Sequence, residues 1–348
     1  MFDLNPFKNS FGLELSENVI RLARIIKKGE TNHLVSLNEE KIREGVIIDG
    51  EIKEEVKLKE SIQKLIAETK GKKIRTRYVN SVIPERKTFI KMIQIPRSSQ
   101  ADLAEAIKWE AAQHIPLSLE EIYLDWQIIE NPRSENISVL VAAAPKAIVN
   151  SYTVLLESLN LIPVCLEIES LSTVRSVIPE KNKLDEPLLI IDIGGAHTNL
   201  IVYNHGTIQF SSSVLFSGRA ITRTIAEKLK IKESDAEKLK IIYGLEKKKG
   251  KGKLKGIIEP QMKNLIEKIN EAHNFYLNHF KEAGAFKKII LAGGGSQVKH
   301  LPSFLAEKTK ISVALANPLI NIKVDKKLEQ IIKNNAPSFT AAIGLALK

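Results

Sequence analysis

Apolar residues in this chain follow two rhythms. In Leu188–Ile193 five of six residues are apolar, which predicts a strand buried on both faces, with Asp192 interrupting it near its end. Gly194 and Gly195 come next and allow positive φ or a close backbone approach. Thr198–Tyr203 is β-rich, Asn204-His205-Gly206 is a turn signal, and Thr207–Phe216 is again strand-like. The order is therefore strand, glycine turn, strand. A dinucleotide fold or a P-loop would open a helix at its glycine turn. Phe11–Ile26 repeats the pattern: a strand, a tight turn at Ser16-Glu17-Asn18, and a strand from Val19 to Ile26, with Glu14 placed as Asp192 is.

Helical spacing marks Lys53–Thr69, Pro145–Asn160, Ser170–Val177, Arg219–Lys230, Ser234–Ile242, Gln261–Phe280, a helix starting near Pro302, and Pro337–Leu347. Strand patterns fall at Arg77–Pro84, Ile122–Glu130, Ile137–Ala144, Lys288–Leu291 and Val313–Leu315, with Val164–Ile168 a short buried strand. Lys87–Ile95 alternates apolar and polar residues, as a half-exposed strand does. Ser99-Gln100-Ala101-Asp102 resembles a capping box ahead of a helix that presents Leu103, Ala106, Ile107 and Trp109 and stops at Pro116. His114, near that helix's end, reads as structural. The order strand, helix, strand, strand makes 85–144 a small α+β insert. The first lobe is then 1–84 and 145–184, and the second is 185–348, with 219–284 a helical subdomain and 337–347 a terminal helix. Alanines and Gly344 let that helix lie close against its neighbours.

Composition narrows the function classes. Three hundred and forty-eight residues with 43% apolar content suit two domains with real cores. Cys165 is the only cysteine, which rules out an intrachain disulfide and suits a reducing compartment. No run is long enough to span a bilayer and no signal-peptide core is present. The net charge of +11 comes with few aromatics and no nucleic-acid module. Its dense part, Lys247–Lys255, reads as a solvated loop. No cluster of Cys and His has metal-ligand spacing.

The candidate chemistry lies in the glycine turns. A hairpin of this kind can aim backbone N–H groups at a phosphate and leave its carboxylate for a hydrated metal ion. Three such turns follow apolar strands in order: one with Glu14, one with Asp192, and Gly293-Gly294-Gly295-Ser296, with Ala236-Glu237-Lys238-Leu239-Lys240 between the last two. This order resembles the actin-like ATPase superfamily. Within it, GLELSENVIRLARI, AEAIKWEAAQHIPLSLEEIYLDWQII, VLVAAAPKAIVNSYTVLLESLNLIPVCLEIESL, IDIGGAHTNLIVYNHGTIQFSSSVLFSG, LAGGGSQVKHLP and the terminal AAIGLALK are similar to the PilM family of type IV pilus assembly proteins, relatives of the division protein FtsA.

The resemblance implies an α/β, two-lobed actin-like (ribonuclease H-like) ATPase fold with the small insert subdomain in the first lobe. It implies ATP and Mg²⁺ as cofactors. Gly194, Gly195, Thr198 and Asn199 would meet phosphates, and Asp192 would order waters around Mg²⁺. Gly293, Gly294, Gly295 and Ser296 would let backbone approach adenosine, Glu237 and Lys240 would face the ribose, and Glu169 would orient the attacking water. The first loop departs from the family pattern. Glu14 replaces an Asp, Ser16 replaces a Gly, and Glu17 adds a charge, so ATP turnover is expected to be slow or absent. The implied role is a cytoplasmic scaffold, peripheral to the inner face of the cytoplasmic membrane. It would grip the cytoplasmic N-terminal peptide of a PilN-like bitopic inner-membrane protein between first lobe and insert. Other platform components, the motor ATPase and further copies of the chain are the expected neighbours, with no nucleic acid and only indirect membrane association. An FtsA-like division tether is the alternative, disfavoured because the chain stops directly after its last core helix. A sugar kinase would need a catalytic Asp that is not apparent in the first lobe.

Overall fold

The computed structural model describes residues 9–96, 103–129, 136–180, 186–247, 252–280, 284–333 and 335–348. The chain opens with three antiparallel strands, β1 (Phe11–Leu15), β2 (Val19–Lys28) and β3 (Thr31–Lys41), then a short pair, β4 (Ile47–Ile48) and β5 (Glu51–Ile52). Helix α1 (Glu55–Ala67), β6 (Lys70–Gly71) and β7 (Tyr78–Ile83) follow. The insert holds β8 (Phe89–Pro96), α2 (Leu103–Ala112), β9 (Ile122–Ile129) and β10 (Asn136–Pro145). Helix α3 (Lys146–Ser158), β11 (Ile162–Ile168) and α4 (Glu169–Val177) lead to the second lobe. That lobe has β12 (Leu188–Ile193), β13 (Thr198–Asn204), β14 (Thr207–Val214), α5 (Gly218–Leu229), α6 (Glu233–Ile242), α7 (Lys253–His279), β15 (Lys288–Ala292), α8 (Leu301–Thr309) and β16 (Ser312–Leu315). The tail holds β17 (Lys323–Val324), α9 (Lys326–Ile332) and α10 (Thr340–Ala346).

The first sheet has the order β11-β7-β1-β2-β3-β17. Its apolar face packs Leu13, Ile20 and Leu22 against Leu58 and Ile62 of α1 and Tyr152 and Leu155 of α3. These helix residues recur at three- and four-residue spacing, so each helix buries one stripe and leaves the other wet. The other face carries the tail, where Ala23, Leu34 and Leu37 meet Leu328, Ile332, Phe339 and Ile343. The sequence division placed 337–347 with the second lobe. In the fold β17 pairs with β3 and this helix packs on the first sheet. Periodicity shows that a helix has a buried face, not which sheet will cover it.

The second sheet has the order β16-β15-β12-β13-β14-β8-β10-β9. The insert strands thus continue the second-lobe sheet, joined at one residue pair, Phe210 with Lys91. Helix α10 crosses α4 where Gly344 meets Ser172. A Cβ on Gly344 would fall inside the Ser172 carbonyl oxygen, so only glycine permits this approach.

The principal expected strands and helices form near their expected ends. Three differences have physical causes. Helix α7 begins at Lys253 and carries Pro260 inside it, whereas a proline usually starts a helix. Trp109, grouped with the helix's apolar residues, is 76% exposed, while Ile107 and Ala111 are buried. β11 is an edge strand, half exposed along Ile162–Val164, because no strand covers its outer side. The capping box at 99–102, most of the linker at 182–187 and part of the lysine loop at 247–255 lie outside the described residues.

Candidate functional site

Two hairpins meet face to face. In each, the acid is the penultimate residue of the first strand: Glu14 opposite Arg21 in β1–β2, and Asp192 opposite Asn199 in β12–β13. Gly195 lies against Asn18 at the tip of the first hairpin, and a Cβ there would come to 2.5 Å of Asn18 Nδ2. Arg219, at the start of α5, donates to Asn18 Oδ1 at 2.9 Å and pairs with Glu44 at 2.5 Å. Arg223 reaches the same Glu44 at 2.6 Å. The lobes are therefore clasped beside the hairpin tips.

Carboxyl groups crowd this junction. Arg21 Nη1 donates to Glu14 at 2.9 Å and Arg21 Nε to Glu39 at 3.2 Å. Burial outweighs the Arg21 charge and pushes the Glu14 carboxyl up to about 7. Asp192 accepts from Thr173 of α4 at 2.8 Å, and burial together with the Glu169 charge pushes it up to about 7. Burial also opposes ionisation of Glu169, yet the neighbouring His197 and Asn199 hold its carboxyl below the usual range. Asn199 Nδ2 donates to Glu169 at 2.9 Å, and His197 Nε2 stands 3.9 Å away. Among the described residues Glu14 Oε2 and Asn199 Oδ1 are buried acceptors without a hydrogen-bond partner. Such orphaned oxygens suit a hydrated cation. Among the described residues no set of three His, Cys, Asp or Glu side chains is arranged to hold a metal ion. An ion held by these oxygens would have to keep most of its own waters.

The third turn closes beside the second hairpin. Gly293 has φ +76°, and a Cβ there would strike Asp192 Oδ1 and the Ile193 carbonyl. Gly294 faces Arg21 Nη2 and Ser338 at ordinary contact distance. Gly295 lies against Gly218 and Ile193. Ser296 Oγ is turned inward and donates to the Gly293 carbonyl at 2.7 Å. The Thr198 hydroxyl likewise donates to the Phe216 carbonyl at 2.8 Å. Lys240 is buried: its ammonium donates to Gly218 O and Thr222 Oγ1, both at 2.9 Å, and pairs with Glu237 at 2.7 Å. Of the expected ribose pair, Glu237 is the more exposed member. The sequence reading assigned no role to Arg21, Asn18, His197 or Arg219. Arg21 was legible as the cross-strand neighbour of Glu14 once the hairpin register is written out.

A second feature lies between insert and first lobe. β9 and β11 are the terminal strands of their sheets. Tyr123 Oη of β9 lies 3.2 Å from Asn150 of α3, and Lys146 donates to Glu120 O at 2.8 Å, so the insert is moored along α3. Burial pushes the Cys165 thiol of β11 up, and the Glu167 charge adds to it. A groove of about 390 Å³ runs along β11, lined by Leu161–Leu166 with Thr153 and Glu157 of α3.

A two-lobed α/β chain with paired acidic hairpins and a glycine turn between them has the actin-like fold, and the solved structures it resembles include MreB5 of Spiroplasma citri bound to AMPPNP (TM-score 0.57, 12% identity, 98% of this chain and 95% of that one). The chain belongs to the family described as type IV pilus assembly protein PilM, whose model matches residues 12–348. It is similar to a PilM–PilN type IV pilus biogenesis complex structure, with a TM-score of 0.82 and 24% identity over 98% of both chains. Among curated proteins it is 27% identical over 181 residues to the cell division protein FtsA of Buchnera aphidicola subsp. Baizongia pistaciae, covering 45% of this chain and 42% of that protein. It therefore spans under half the length of that relative. No helix among the described residues is long and apolar enough to cross a membrane.

Proposed function

We propose that the chain is a nucleotide-binding scaffold of the type IV pilus, or a related secretion, assembly platform. It works in the cytoplasm at the inner face of the membrane and holds the cytoplasmic N-terminal peptide of a PilN-like inner-membrane protein. The observation that carries this reading is the groove along β11, the terminal strand of the first sheet, walled by α3. An open sheet edge offers unpaired backbone groups to an added strand, and side-chain pockets beside it set sequence preference. Here the groove is apolar at Ile162 and Val164 and acidic at Glu157, which favours a peptide carrying apolar and basic residues.

In this reading ATP would lie between the hairpins, with Asp192 ordering waters around Mg²⁺, Gly194 and Gly195 meeting phosphate, and the Gly293–Gly295 backbone lying against adenosine. Turnover is slow. A base that activates water must be free to take its proton. Glu14 has one oxygen paired with Arg21 and Glu169 has one held by Asn199, and the first turn carries Ser16 and Glu17 where the family pattern has a glycine and no added charge. The nucleotide acts instead through the lobes, favouring whichever groove shape it binds better.

Fluorescence anisotropy with a labelled peptide from the cytoplasmic end of the neighbouring single-span protein tests the groove. Thr153→Trp, which fills it, and Glu157→Lys, which reverses its charge, should each weaken binding by about tenfold or more, near 1.4 kcal/mol. Undiminished affinity in both variants would rule the groove out as the peptide site.

A further inference from the structure

The seam where the insert strands join the second-lobe sheet forms an open pocket of about 490 Å³, which touches β13 at Leu200 but none of the glycine turns, and which is separate from the β11 groove. Its origin is geometric. β14 and β8 pair only at Phe210 and Lys91 and then separate, and α7 lies over the gap. Lys268, Glu271, Ala272 and Phe275, one helical turn apart, form the α7 wall. The remaining walls are largely apolar, with Phe89, Phe210, Leu200 and Val214 around Lys91.

Lys91 is the unusual member. Its ammonium lies 5.7 Å from the centre of the Phe275 ring and 3.5 Å from His114 Nδ1. Glu110 holds the other ring nitrogen of His114 at 3.2 Å. Among the described residues no carboxylate forms an ion pair with Lys91, while Lys268 at the rim is paired with Glu271 at 2.7 Å. A half-buried ammonium facing aromatic walls is poorly solvated, and burial pushes its pKa down. An apolar cavity of drug-like size with one convergent cation is a ligand site in form.

We propose that this cavity binds a small amphipathic organic anion, its aromatic or aliphatic body between Phe89, Phe210 and Phe275 and its acid group on Lys91. The site shares no lining residue with the β11 groove or with the glycine turns. A ligand there touches the insert, the second-lobe sheet and α7 together, so it bears on how the insert sits against the lobe.

The test uses two probes of one shape on the full chain: 1-anilinonaphthalene-8-sulfonate and its uncharged counterpart N-phenyl-1-naphthylamine. The wild type should bind the sulfonate at one site, at least about tenfold more tightly than the neutral probe. Lys91→Met should bring the sulfonate down to the level of the neutral probe and leave the neutral probe unchanged. Ala272→Trp should remove both. Equal binding of the two probes by the wild type overturns the proposal, as does sulfonate binding that survives Lys91→Met unchanged. If the tryptophan variant fails to fold, as judged by circular dichroism, the Lys91→Met comparison decides alone.

Discussion

In the β1–β2 hairpin the residue that faces the acid across the ladder is Arg21, and in the β12–β13 hairpin it is Asn199. The backbones match and so do the positions of the acids. The difference is the source of the countercharge. Glu14 has a guanidinium built in at 2.9 Å, also held by Glu39 and lying 5.8 Å from the centre of the Phe339 ring. Asp192 has the Thr173 hydroxyl and the weaker influence of His197, set against the carboxylates Glu169 and Glu14. One hairpin is closed electrostatically by its own chain, and in the proposed reading an ion would complete the other. A site with one internal and one external cation can hold a charged ligand without both acids bearing on it.

Removing the internal cation should have the largest effect. Arg21→Met leaves Glu14 and Glu39 without their partner and should destabilise the fold by about 3 kcal/mol in denaturant titrations at pH 8. The sign with pH follows from Glu14, whose folded value is raised to about 7. A carboxyl raised on folding is neutral below that value, so the loss of Arg21 matters less there. The deficit should shrink as pH falls from 8 to 6. A deficit that grows in acid would show that the pair is not what Arg21 supplies.

Removing the external partner's anchor comes next. Asp192→Asn should weaken Mg²⁺-dependent nucleotide binding by about tenfold or more while leaving Mg²⁺-free binding nearly unchanged, as read by a fluorescent ATP analogue. Loss of both forms equally would assign Asp192 a packing role alone. The smallest effect should come from the clasp. Arg219→Ala breaks partly exposed links to Asn18 and Glu44, so stability should fall by less than about 1 kcal/mol. Exchange of the fluorescent analogue should nevertheless quicken severalfold, because these links tie the two lobes beside the site. An unchanged exchange rate would place the rate-limiting opening elsewhere.

The sequence by itself determined the hairpins. The β-rich Thr198–Tyr203 after the glycines selects a hairpin over a helix, and Leu188–Phe216 folds as strand, turn, strand, strand. It also determined the insert's own strand–helix–strand–strand order and the small-residue tail, where Gly344 meets Ser172. Only tertiary structure decided which sheet each piece joined. The tail returns to β3, and the insert hangs on β14 by one residue pair. It also decided which polar groups are left over: Thr198, Ser296 and Lys240 spend their polar atoms inside the chain, while Glu14 Oε2 and Asn199 Oδ1 do not. The physical reason is range. Periodicity and turn chemistry act over a few residues, whereas sheet order and the pairing of buried charges depend on residues as far apart as Arg175 and Gly344.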